Sequence, residues 1–146
     1  MGFRLSLKGH DEEIVMEKEN ITSIKFLSDT ADNSNARSTD INVGVDIEGK
    51  ILSIIGGEGG DDITRKILLW SLISAEELEA YKNATIEVIL AGNVVRKYNM
   101  PNTFVVDYIE IYDDKTGNGT FYLKLRQKKE KIKDINIEGG YQSKGV

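Results

Sequence analysis

In Ile41-Asn42-Val43-Gly44-Val45-Asp46-Ile47-Glu48 every odd position is apolar and every even one is polar or glycine. A period of two gathers the apolar groups on one face of an extended chain, which predicts a half-buried β-strand. Phe121, Leu123 and Leu125 repeat the pattern against Tyr122, Lys124 and Arg126, as do Phe3, Leu5 and Leu7 against Arg4, Ser6 and Lys8. Residues 85–90 and 103–112 are rich in β-branched and aromatic side chains, which suit a pleated surface, and predict further strands. Ala91-Gly92-Asn93 separates residues 85–90 from the strand-like residues 94–99 and predicts a hairpin. Residues 113–119 form a second turn, with Gly117, Asn118 and Gly119 suited to positive φ. Residues 28–40 and 56–62 read as longer loops.

Against this β background one segment predicts a helix. Ser74-Ala75-Glu76-Glu77 is a capping box, a serine with a glutamate three residues on, and Leu78 and Tyr81 follow at helical spacing. The helix is expected over residues 74–82, about two to three turns. The most apolar stretch is residues 67–73, and its Trp70 is expected in the core or in a contact between subunits. With no repeat, low-complexity tract or linker, residues 1–146 are expected to form one mainly β domain.

Composition narrows the function. The chain has 146 residues and a formal net charge of -5, which opposes general attraction to nucleic acid or anionic lipid. The one basic run, Lys124, Arg126, Lys128, Lys129, Lys131 and Lys133, reads as the solvated face of a strand and the segment after it. There is no cysteine, so disulfides, thiolate zinc sites and thiol nucleophiles are excluded, which suits a reducing, cytoplasmic setting. No stretch approaches the roughly 18 apolar residues of a membrane span, and residues 1–13 lack a signal-peptide core. The sequons at Asn20, Asn83 and Asn118 carry little weight without a secretory signal.

Candidate chemistry is sparse. His10 is the sole histidine and lies in a charged turn beside Asp11, so neither a catalytic triad nor a two-histidine metal site is expected. Ser28-Asp29-Thr30-Ala31 has the start of an aspartic-protease turn with alanine in place of its glycine, and that reading would place an aspartic-type protease on Asp29. Gly56-Gly57-Glu58-Gly59-Gly60-Asp61-Asp62-Ile63-Thr64 fits the calcium nonapeptide position by position. That motif works by stacking many copies and this chain has one, so Asp61 and Asp62 are the calcium candidates of a reading in which no metal is expected. The same loop lacks the Lys-Ser/Thr of a phosphate cradle. No catalytic residue and no cofactor are expected. Strands with a single proline, Pro101, leave open edges, and pairing with sister subunits is one way to satisfy them.

Three stretches together resemble the Hcp-like tube proteins of type VI secretion and the related contractile phage-tail systems. They are Asn93-Val94-Val95-Arg96-Lys97-Tyr98, Met100-Pro101-Asn102-Thr103-Phe104-Val105-Val106-Asp107-Tyr108, and Gly117-Asn118-Gly119-Thr120-Phe121-Tyr122-Leu123-Lys124-Leu125. Residues 24–30 and 35–40 are similar to a clostridial group sometimes labelled membrane-associated protease, a label no residue here supports. The likeness spans residues 24–141. It implies a β-barrel of two packed sheets with one short flanking α-helix, and subunits that close into hexameric rings and stack into a hollow tube. It further implies that Gly56, Gly57, Glu58, Gly59 and Gly60 form the loop by which one ring grips the next. The implied partners are copies of the chain itself and sheath, baseplate or tape-measure proteins, with export or release as part of a tail-like particle. A calcium- or glycan-binding β-sandwich module is the reading from another class. The acidic N-terminal stretch and residues 135–141 match no motif.

Overall fold

The computed structural model describes residues 1–10, 12–30, 41–52, 63–115, 117 and 119–139. Eight strands run in chain order: β1 (Gly2–Lys8), β2 (Glu13–Met16), β3 (Ile21–Thr30), β4 (Ile41–Ile51), β5 (Lys82–Leu90), β6 (Asn93–Tyr112), β7 (Gly119–Gln127) and β8 (Asn136–Gly139). Among the described residues one helix, α1 (Ile63–Ser71), lies between β4 and β5, and 3-10 helix covers Leu78–Ala80 for one turn and Lys129–Asp134 for two. The strands form one antiparallel sheet in the order β2-β1-β5-β6-β7-β4-β3, with β8 paired to β6.

The alternation read from the sequence places the core. Leu5 and Leu7 of β1, Val43, Val45 and Ile47 of β4, and Phe121, Leu123 and Leu125 of β7 are all buried. Arg4, Lys8, Asn42, Tyr122 and Lys124, one residue out of step with them, are exposed. Both expected turns form. Ala91 and Gly92 take φ of 52° and 80°, the left-handed pair of a two-residue hairpin loop whose twist matches its strands. In the second turn Gly117, at φ 71°, donates its N–H to the carbonyl of Asp113 at 3.1 Å.

The stretches 94–99 and 103–112, separate strands by sequence pattern, are one strand of 20 residues. β6 pairs with β5 from Asn93 to Thr103 and with β7 from Thr103 to Tyr112, so it carries the sheet from one half of the molecule to the other. The change of partner falls at a corner. Pro101 has no N–H for a ladder, and Asn102 sits at φ 56°. The polar groups left over at the corner are satisfied locally. The Asn102 N–H donates to Asn83 Oδ1 at 3.1 Å, Lys128 N–H to the Asn102 carbonyl at 3.2 Å, and the buried Thr103 hydroxyl to the Lys82 carbonyl at 2.8 Å. Gln127 Nε2 donates to the Pro101 carbonyl. The two halves then face each other, with Phe26 of β3 stacked on Tyr98 of β6 at 4.5 Å between ring centres.

The two packed sheets expected from the resemblance are therefore two halves of one continuous sheet. Among the described residues the end strands β2 and β3 do not pair with each other, so the sheet is not closed.

The helix lies elsewhere than the capping box predicts. Residues 74–82 form a turn, the 3-10 segment Leu78–Ala80 and the start of β5. The Ser74 hydroxyl does accept the Glu76 N–H at 3.3 Å, but Leu78 is 70% exposed. A cap satisfies one turn, whereas a short helix persists only when it buries an apolar face. That face belongs to α1, where Thr64, Ile67 and Trp70 recur every third residue and are buried. Trp70 is thus a core residue, 3% exposed, and its Nε1–H donates to the Ala80 carbonyl at 2.9 Å. That bond ties the turns after the helix back onto it.

Candidate functional site: edges and faces for assembly

Three kinds of surface are candidates for a site, and the first is the sheet's own borders. β2 ends the sheet at one side and the ten-residue β3 at the other, and no strand among the described residues pairs with the outer edge of either. An unpaired edge is a row of donors and acceptors ready for a strand from another chain. The two borders differ in length and sequence, and two unlike complementary patches are what a head-to-tail contact between identical subunits requires. The open flank of β6 beyond Thr103 is treated differently, since α1 packs beside it.

The second is the outward face of β6, β7 and β4. Cross-strand register sets Lys124 opposite both Asp107 and Asp46, and Arg126 reaches Asp46 Oδ1 at 3.2 Å. The end of this face toward the 113–119 turn is apolar instead. Ile109 stands opposite Tyr122, with Ile111 two residues on, and all three are exposed. Outside the sheet, Leu69, Leu72 and Leu78 add apolar surface around the end of α1. Exposed apolar groups in such clusters mark interaction surfaces.

The third is catalytic or metal chemistry, where the described residues offer little. His10 lies exposed just past β1. Asp29 lies in β3, with its backbone paired to Asn42, rather than in a turn. Among the described residues no group of three or more His, Asp or Glu is placed to hold a metal ion. Asp61 and Asp62, and the loop residues Gly56, Gly57, Glu58, Gly59 and Gly60, lie outside the described residues. The basic run does not form a stripe. Arg126 is committed to Asp46, Lys128 lies 4.8 Å from the centre of the Tyr81 ring, and Lys131 pairs with Asp134 at 3.9 Å. No helix among the described residues is long and apolar enough to cross a membrane.

Two elements at the borders had no motif to announce them. The acidic N-terminal stretch contains β2, whose Ile14 and Met16 are buried. Residues 136–139 form β8, which sets Ile137 opposite Tyr98. Their signal was a bare alternation, Ile14 and Met16 in one case and Ile135 and Ile137 in the other, over lengths too short to stand out.

This architecture, a curled antiparallel sheet hinged on one long strand with helix α1 at its open flank, defines the class: it is the Hcp-like tail-tube fold. Hcp1 from Flavobacterium johnsoniae superposes with a TM-score of 0.59 at 13% identity, covering 96% of this chain and 97% of that one. Hcp1 from E. coli EAEC 042 gives 0.58 at 12% identity, over 97% of this chain and 100% of that one. A chain of the sheath-tube complex of an extracellular contractile injection system, PVC, in its extended state gives 0.54 at 15% identity over 95% and 89%. At these identities the likeness is one of fold. No protein-family model matches the chain, and no curated protein matches it in sequence.

Proposed function

We propose that this protein is a non-catalytic structural subunit of a tube of the type VI secretion or contractile phage-tail kind, and that its copies join edge to edge into hexameric rings that stack. The observation that carries the reading is the extent of the fold likeness. Almost the whole of the chain is matched to almost the whole of Hcp1 from F. johnsoniae, so the likeness is to the complete tube-type fold and not to a fragment of it. The unlike borders at β2 and β3 support a head-to-tail contact, which closes into a ring when the rotation per subunit divides the circle. In such a ring each subunit is held on two sides, so a modest pairwise affinity becomes cooperative on closure. The loop Gly56–Gly60 is assigned to the contact between stacked rings. Sheath, baseplate and tape-measure proteins are the proposed partners, and release within a tail-like particle the proposed destination.

Size-exclusion chromatography with light scattering tests the reading, followed by electron microscopy of the leading peak. The expected result is a ring-shaped oligomer whose population grows with protein concentration. A strict monomer at high concentration would overturn it.

A further inference from the structure

Where β1 finishes and β6 turns its corner, an open cleft of about 210 Å³ is lined by Lys8, Gly9, His10, Tyr81, Asn83 and Asn102. Among the described residues no carboxylate lines it, although acidic residues outnumber Lys and Arg by 24 to 19 over the chain. The fold brings these donors together from three strands. Register sets Lys8 opposite Asn83, and the Asn102 N–H occupies Asn83 Oδ1, which leaves the Asn83 amide group its NH₂ as the free end. Lys128 is tied to the Asn102 carbonyl through its backbone N–H, and its Nζ lies 4.8 Å from the centre of the Tyr81 ring.

A further cation lies behind the cleft. Lys82 is 7% exposed, with Nζ 5.7 Å from the centre of the Trp70 ring, and a Cβ at Gly9 would come within 2.7 Å of that Nζ. Gly9, which lines the cleft, therefore lies directly against that ammonium. None of Lys8, His10, Lys82 or Lys128 pairs with a carboxylate, and Glu12, the acid nearest in the turn among the described residues, is held by Lys66 at 3.3 Å.

We propose that this cleft binds an oxyanion, a phosphate or carboxylate group held by Lys8, His10 and the Asn83 amide, with Lys128 at the rim and Lys82 supplying field from behind Gly9. The site is contained in a single subunit and does not rest on the tube reading. Contacts to exposed ammonium groups are individually small, so a free anion is expected to bind with Kd on the order of 1–10 mM.

The probe is inorganic phosphate, followed by its ³¹P line width with wild-type protein, ionic strength being held constant with chloride. The expected result is saturable broadening that weakens about three- to tenfold in the surface double variant Lys8→Gln/Lys128→Gln and is unchanged in Lys97→Gln, which lies on a different part of β6. Competition with N-acetylglutamate distinguishes the ligand's source: displacement of phosphate assigns the site to carboxylates as well, and no displacement restricts it to phosphates. Absence of saturable broadening, or undiminished broadening in the double variant, would overturn the proposal.

Discussion

If the corner of β6 is what lets one sheet fold over itself, replacing Thr103 by valine is the cleanest way to weaken it. Thr103 is fully buried and pairs with Lys82 of β5 on one side and Gln127 of β7 on the other. Its hydroxyl donates to the Lys82 carbonyl at 2.8 Å, and valine keeps the volume and branching while removing that bond. A buried hydrogen bond contributes about 1 kcal/mol net, and stranding its acceptor raises the cost, so Thr103→Val is expected to lose about 1–2 kcal/mol. With a urea dependence of roughly 2 kcal/mol per molar for a domain of this size, the unfolding midpoint falls by about 0.5–1 M. Trp70 is the only tryptophan and is buried, so its emission reports the transition without a label. Both proteins are measured at one concentration, because self-association would stabilise the native state by mass action. A midpoint within about 0.1 M of wild type, at unchanged slope, would refute the claim that this bond holds the corner.

Ser74→Ala is expected to cost no more than a few tenths of a kcal/mol, since Ser74 caps a turn and not a helix; a loss of about 1 kcal/mol, the usual effect of removing an N-cap, would restore the helix read from the capping box. Millimolar calcium is expected to leave the melting temperature unchanged, because a lone nonapeptide lacks the stacked turns that complete each site. A rise of several degrees would assign calcium to Asp61 and Asp62 and reopen the calcium-module reading.

The legibility of this protein follows the range of the forces involved. The inward residues of β1, β4 and β7 were readable because alternation is local: an apolar group at every second position defines a buried face whatever it packs against. The tight turn at Ala91-Gly92 was readable for the same reason, since glycine makes positive φ cheap wherever it occurs and Gly92 takes φ of 80°. The candidate assembly borders were legible only as a general expectation of open edges. Which strands form them depends on pairing order, and β3 became an outer strand because β4 spends its other edge on β7.

What the sequence by itself determined, then, is the β class, the face that β1, β4 and β7 turn inward and the turns at Ala91-Gly92 and before β7. The tertiary structure decided that residues 94–99 and 103–112 are one strand, that residues 63–71 and not 74–82 are helical, and that Lys8, His10, Asn83 and Asn102 line one cleft. Each of these turns on partners far apart in the chain: Thr103 on Lys82, Trp70 on Ala80, Lys8 on Asn83. A capping box can start a helix, but only burial against a distant strand keeps one, and that energy exists only once the chain has folded.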